Sequence, residues 1–420
     1  MRVSQAAGTA LSRAVSFVRR QPRDWIVSAS RSSIHRFFYQ MVLPYLSIYA
    51  KVLGASVTQI GLINSIGMGA AGICGPFTGW LIDKIGAKKV YLFGIIFLAL
   101  FFLIYGIAQN WLIIILGMLA YWVGFASSGQ SCGVICASSI APEDRATAMS
   151  LCETMAMGLM GMAAPMVGAS LVAAFGGITA SGIRPLFFIG LAGTIATFFL
   201  ILAKLSSRNW GRKRQENTNF LKDISQVFRE GRYLKRFLVI SSLTYVPQGM
   251  IIPFVQVFAR EVKGANEFIL GAMVTAAALT PLLLGIPMGR LADRIGRKKV
   301  IFLVSPLFLL SNLMLIWAPN SGFLIASGVL KGFYFIGSVV TTAMSYELVP
   351  KQHMGRWIGM IRLVRMPIAA VAAFLAGAIW DNIGPQYLFL GYIGLELLIR
   401  IPLLLSMPET LKRSPVSDNA

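Results

Sequence analysis

His35, Arg36, Lys331, Arg362 and Arg365 stand in stretches of sequence that are otherwise almost wholly apolar, and Glu153 is the acidic residue placed to accompany them. An ionised side chain in an apolar medium costs roughly 2.5–3.5 kcal/mol on insertion scales, so each needs a partner, a wet cavity or a role. Arginine can grip a carboxylate or phosphate through two parallel hydrogen bonds, and a surplus of cations draws anions into a cleft. These residues therefore predict a binding site for a small organic or inorganic anion. Tyr39 lies one turn from His35 on the same helix face, while Tyr245, Gln248 and Gln256 add polar groups beside Pro247 and Pro253, where a helix would bend. Glu153 and His35 are the groups whose titration could carry a proton. A competing reading lets Arg36, Arg362 and His35 snorkel to lipid headgroups while Glu153 neutralises Arg365, leaving Lys331 alone. Glu396 and Arg400, four residues apart, are expected to pair with each other at the periphery. No nucleophile or cofactor constellation is present and the two histidines are far apart, so no cofactor, no metal and no enzymatic activity are expected. Cys74, Cys132, Cys136 and Cys152 all lie in apolar segments and read as small hydrophobes.

The elements that carry these residues must cross a bilayer. Of 420 residues, 56% are hydrophobic and 13% charged, with a mean hydropathy of +0.71, values foreign to soluble proteins. Twelve apolar runs of spanning length fall at about 30–53, 58–82, 88–108, 111–139, 146–174, 185–205, 236–259, 267–291, 298–318, 321–346, 356–380 and 385–406. A polar linker over 206–235 separates an N-terminal six-helix bundle, 30–205, from a C-terminal one, 236–406; a basic segment, 1–29, precedes them and a tail, 407–420, follows. The fold class is thus all-α, a twelve-helix membrane protein. With both termini and the linker cytoplasmic, 30 of the 38 Lys and Arg fall on the inner side and four (Lys51, Arg184, Arg260, Lys263) on the outer. That asymmetry orients the chain in a cell membrane, plasma or inner, with both termini cytoplasmic. It also accounts for most of the net charge of +22 without nucleic acid as a partner. The segment 1–29 has the look of a basic amphipathic stretch on an anionic leaflet, with a faint transit-peptide composition.

The two bundles repeat each other. Gly79-Trp-Leu-Ile-Asp83-Lys-Ile-Gly86-Ala-Lys88-Lys89 follows the second span, and Gly289-Arg-Leu-Ala-Asp293-Arg294-Ile-Gly296-Arg297-Lys-Lys299 follows the eighth, 210 residues later. Gly124, Gly129 and Pro142 recur as Gly332, Gly337 and Pro350, and Arg145 and Met149 as Arg356 and Met360. Parallel six-helix repeats imply a pseudo-two-fold axis along the membrane normal, with the binding site at the interface between them.

The doubled loop resembles the signature of the major facilitator superfamily, and the resemblance covers nearly the whole chain. Ala87 departs from it where the family carries Arg, and the Pro408-Glu-Thr410 tail is similar to the ending of many members. The resemblance implies two pseudo-symmetric six-helix bundles that alternate access to a cavity lined by helices 1, 4, 7 and 10. It implies a cytoplasmic gate built from Gly79, Asp83, Gly86, Lys88, Gly289, Asp293, Arg294, Gly296 and Arg297, each loop packing on the far half. By pseudo-symmetry Asp83 is then expected to face Arg356, and Asp293 to face Arg145. Substrate would be held by His35, Arg36, Tyr39, Tyr245, Gln248, Lys331, Arg362 and Arg365, in a monomer surrounded by membrane lipids. The expected function is secondary transport of a small anion, with a proton as candidate co-substrate. A proton-coupled multidrug exporter is the alternative, suggested by Met155, Met157, Met160 and Met162; a non-transporting receptor or scaffold on the same fold is another.

Overall fold

The computed structural model describes residues 20–140, 160–206, 234–347, 354–407 and 409, with the backbone alone at 137, 160 and 235 and over 345–347 and 354–360. Among the described residues there are helices and connecting turns and no strand. Helix α1 runs Arg23–Val42, a 3-10 turn Leu43–Tyr45 and Leu46–Val52. It is followed by α2 (Val57–Ile85), α3 (Ala87–Ile107), α4 (Trp111–Ser139), the described part of α5 (Met160–Ala174) and α6 (Ala180–Lys204). The second half begins with α7 in three pieces, Leu234–Leu243, Val246–Met250 and Ile252–Glu261. Then come α8 (Glu267–Ile295), α9 (Arg297–Ile316), α10 (Ser321–Glu347) and α11 (Met354–Asn382). Helix α12 consists of Pro385–Leu395, a π-helical turn Glu396–Arg400 and Ile401–Leu405. Ten of these helices are long and apolar enough to cross a membrane, and the protein is an integral multi-pass membrane protein.

Helix α1 begins at Arg23, ahead of the expected 30. Its first turns are too polar to register as a span, yet Trp25, Ser28, Arg31 and His35 are buried against the rest of the N-terminal half. Packing on neighbouring helices, rather than lipid, makes that stretch helical.

The repeat extends to the devices that start and break helices. Ser56 caps α2 by accepting from Gln59 N at 3.1 Å, and Asn266, 210 residues on, caps α8 by accepting from Ile269 N at 2.9 Å. Asn110 and Asn320 cap α4 and α10 in the same way, through Ile113 N and Phe323 N. Such caps satisfy amides that a helix start leaves open. Proline opens the second piece of α1 at Pro44 and the third piece of α7 at Pro253, and Pro247 opens the middle piece of α7. Proline lacks the amide proton that an unbroken helix would use.

The doubled loops do a structural task within each half. Lys88 Nζ donates to the carbonyls of Leu202 and Leu205 at the end of α6, at 3.4 and 2.6 Å. Lys298 Nζ does the same at the end of α12, to Leu405 and Met407 at 2.9 and 2.7 Å. A cation on the last carbonyls of a helix is favoured by the helix dipole. Glu409, from the tail, completes the second copy by accepting from Arg297 N at 3.0 Å and Lys298 N at 3.2 Å, at the start of α9. Asp293 pairs with Arg297 of its own loop at 2.8 Å. Of the expected partners across the halves, Arg145 lies outside the described residues and Arg356 is described in its backbone only.

The halves meet along α2 against α11 and α5 against α8. Gly61 of α2 faces the carbonyl of Ala373, and Gly377 of α11 faces the carbonyl of Val57, so the two backbones touch where a side chain would hold them apart. Asp381 accepts from Thr58 N at 2.7 Å and Thr58 Oγ1 donates to Gly377 O at 3.1 Å. Tyr45 donates to Glu267 O at 3.1 Å and Thr275 to Met162 O at 2.8 Å. These contacts clamp the halves together on the side away from the linker.

Two measurements check this packing. Gly377→Val should loosen the clamp, raising the labelling of a cysteine placed at Ser47 by an impermeant thiol reagent roughly threefold from the side opposite the linker; unchanged labelling would contradict the assignment. Gly296 has φ +112° and a Cβ there would meet the Glu409 carboxylate, whereas Gly86, at φ +90°, has open space. Gly296→Ala should therefore destabilise the protein by about 1–3 kcal/mol, more than Gly86→Ala, read as the larger fall in melting temperature in detergent.

Candidate functional site

The breaks in α1 and α7 fall on either side of a void between the two halves, a cavity of about 60 Å³. Tyr39, Pro44 and Ser47 of α1, Asn64 and Met68 of α2, Met118, Tyr121 and Trp122 of α4, and Gln248, Pro253 and Gln256 of α7 line it. One wall is aromatic: Tyr39 stacks on Tyr121 with centroids 4.8 Å apart, and Trp122 meets the Tyr121 ring edge-on at 5.5 Å. The opposite wall carries amides. Gln256 is 6% exposed, and neither its amide nitrogen nor its oxygen has a hydrogen-bond partner. The indole nitrogen of Trp122 is likewise buried and unpartnered. A buried polar group left unmade costs about 1–3 kcal/mol, so these atoms are poised to receive water or a ligand. Asn64 differs, because its amide donates to Ile60 O of its own helix at 2.9 Å.

Of the residues expected from sequence to hold substrate, Tyr39 and Gln248 line this cavity. The basic residues fall in separate groups, none of them on its lining. On α1, His35 lies one turn from Tyr39 with ring centroids 6.4 Å apart, and it feels both Arg31 and Arg36. Arg31, buried at 3%, lies over the Tyr91 ring at 5.1 Å within the N-terminal half. On α11, the Arg365 guanidinium lies 4.8 Å above the Tyr245 ring, at the first break of α7. Arg362, three residues earlier, packs instead on Gly75 of α2, whose carbonyl accepts from Gln130 Nε2 at 3.1 Å. Lys331 is buried on α10, with no hydrogen bond or ion pair among the described residues. Glu153 lies outside the described residues.

Two sequence readings change. Glu396 and Arg400 do pair, but within the C-terminal half rather than at its periphery, with exposures of 1% and 5%. The i,i+4 spacing fixed the pairing and was silent on direction. Cys132 is more than a small hydrophobe, since Ser28 Oγ approaches its Sγ at 3.3 Å and Ser32 Oγ at 3.4 Å. Tyr121, Trp122, Asn64, Met68 and Met118 line the void without having been singled out. An uncharged aromatic or thioether in an apolar helix looks the same in sequence whether it faces a cavity, a neighbour or lipid.

Comparison with known proteins agrees with this architecture. The family model of the Major Facilitator Superfamily matches residues 32–264 and 237–419. The chain is 26% identical over 275 residues to the multidrug resistance protein MdtG of Escherichia coli O9:H4 (strain HS), covering 63% of this chain and 64% of that one. The match thus spans just under two thirds of the length of that curated relative. Among solved structures, the nucleoside transporter NupG superposes with a TM-score of 0.74 at 14% identity, over 91% of this chain and 99% of that one. A POT family transporter in complex with a thioalcohol-conjugated peptide gives a TM-score of 0.76 at 14% identity, over 93% and 97%. The human organic anion transporter MFSD10 gives 0.65 at 17% identity, over 91% and 100%. At these identities the structures speak for the fold. The family model matches twice, in overlapping stretches that together span nearly the whole chain, and the chain belongs to the Major Facilitator Superfamily, a family of membrane transporters.

Proposed function

We propose that the protein is a secondary active transporter that carries a small organic anion by alternating access, binding it in the void between its halves. The observation that carries this reading is the cavity itself, lined by Gln256 with its unpartnered amide and by Gln248, one turn after the Tyr245 on which Arg365 lies. An aromatic or apolar body would lie against Tyr39, Tyr121 and Trp122, and Gln248 and Gln256 would hydrogen-bond its polar edge. Its negative charge would be met by Arg36 from α1 and by Arg365 beside Tyr245, with the His35 imidazole as a hydrogen-bond donor and Arg362 and Lys331 adding to the positive field. The clamped side is then the extracellular side, by the distribution of Lys and Arg. The doubled loops would form the cytoplasmic gate, with Asp83 meeting Arg356 and Asp293 meeting Arg145 when that side shuts. The carrier would work as a monomer in the plasma or inner membrane, with the proton as the candidate coupling ion.

A second reading is favoured by a specific observation. The residues lining the void are uncharged, and Met68 and Met118 among them give an adaptable surface of the kind promiscuous binders use. MdtG, the relative at 26% identity, is named a multidrug resistance protein. On this reading the cations are structural and the substrate is lipophilic.

Counterflow in proteoliposomes with labelled benzoate, competed in turn by lactate, inorganic phosphate and tetraphenylphosphonium, separates the two. The anion reading predicts benzoate exchange inhibited by carboxylates. Inhibition by tetraphenylphosphonium alone would establish the exporter, and no exchange of any probe would leave a receptor or scaffold. Variants sharpen the result. Arg365→Ala should raise the KM for benzoate tenfold or more, about 1.4 kcal/mol, whereas Gln256→Ala should weaken charged and neutral aromatic competitors alike.

A further inference from the structure

Glu396 is the one carboxylate among the described residues that is buried inside the membrane-spanning body, at 1% exposure. It opens the π-helical turn Glu396–Arg400 set into α12. Helical turns of this kind occur mostly as single insertions, and frequently at functional sites. Glu396 Oε1 pairs with Arg400 across that turn. Every other group on the pair comes from the same half. Tyr392 of α12 donates to Glu396 Oε2 at 3.1 Å. Arg400 Nε donates to Thr244 of α7 at 3.2 Å, and its terminal nitrogen lies 3.4 Å from Ser305 of α9. From α10, Tyr334 is within electrostatic reach of Glu396 and Arg400, and also of Arg365 on α11 and Tyr245 on α7. Beside the pair is a void of about 20 Å³, which Ser338 of α10 also lines, room for roughly one water.

This pair cannot hold the substrate described above, because its void and the central cavity share no lining residue. Stability is a weak reason for its presence, since apolar residues of similar volume are often as stabilising as a buried ion pair. What sets it apart is that each member keeps a partner if the pair opens. Arg400 retains Thr244 and Ser305. A protonated Glu396 can donate to the Tyr392 oxygen or to water in the void. Protonation would therefore strand neither group, while the C-terminal half would gain one positive charge.

We propose that Glu396 is a proton-binding site of the carrier. A proton from water adds to a carboxylate oxygen, the Glu396–Arg400 bond opens, and Arg400 stays cationic on the two hydroxyls. Tyr334 is within electrostatic reach of both the altered pair and Arg365, which links this site to the residues beside the interface between halves. Its use in coupling rests on the transporter reading; the binding of the proton does not.

The test has one arm for each statement. The proton itself is the probe in the first: infrared difference spectra of the purified full-length protein, acid minus alkaline. A carboxylic-acid C=O band is expected in the wild type, shifted in Glu396→Asp and absent in Glu396→Gln. If Glu396→Gln fails to fold, the double variant Glu396→Gln, Arg400→Gln removes both charges and must lack the same band. A spectrum of either folded variant identical to the wild type overturns the site. In the second arm, labelled benzoate is the probe, and the ratio of pH-gradient-driven accumulation to counterflow should fall at least tenfold in Glu396→Gln. An unchanged ratio overturns the coupling role. If benzoate is not exchanged at all, the anion-transport reading fails and the infrared arm alone decides the proton site.

Discussion

Hydrocarbon offers no hydrogen bonds, so every polar group carried into the membrane must find its partner within the protein. Most of the polar side chains here obey in the most local way available. Thr194, Thr244, Thr341, Asn64 and Asn312 each donate to a carbonyl four residues back, at 2.8 to 3.0 Å. Helix starts are closed by Ser56, Asn110, Asn266 and Asn320, and helix ends by Lys88 and Lys298. Against that background the departures acquire meaning. The amide of Gln256 and the indole of Trp122 face a void unpartnered, and an ionised pair sits inside the C-terminal half.

The same constraint makes each half largely self-sufficient among the described residues. Polar satisfaction is achieved inside each half by repeated devices 210 residues apart, whereas between the halves, among the described residues, it includes backbone contacts such as Thr58 with Asp381 and Tyr45 with Glu267. Glycine-to-carbonyl packing at Gly61 and Gly377 adds close approach without interlocking side chains. An interface so built can part without leaving many donors open. That is the requirement for a carrier that exposes one site to alternate sides.

Spans and doubling were legible in the sequence because hydropathy at the scale of 20 residues and a recurring motif survive without knowledge of packing. The prolines of α7 announced its breaks for the same reason: the missing amide proton is a local property. The start of α1 at Arg23 was not legible, since its polar turns are held by neighbours rather than by composition. The candidate site was legible only in part. Charged residues advertise themselves in an apolar sequence, and His35, Arg36, Arg362 and Arg365 were found that way, yet the surface of the void belongs to Tyr121, Trp122, Met118 and Gln256, three of which carry no sign of where they point. Direction around a helix axis is set by the partner helix, and here the stripe facing the void and the stripe facing lipid are both apolar.

A carrier of this kind must hold its substrate in the space between its halves. Trp122 lines that space, and its fluorescence is the direct reporter. Titration of the purified protein with benzoate should quench a saturable component of the tryptophan emission that is missing in Trp122→Phe. Quenching of the same amplitude in Trp122→Phe, or none in wild-type protein that still exchanges benzoate, would place the substrate elsewhere.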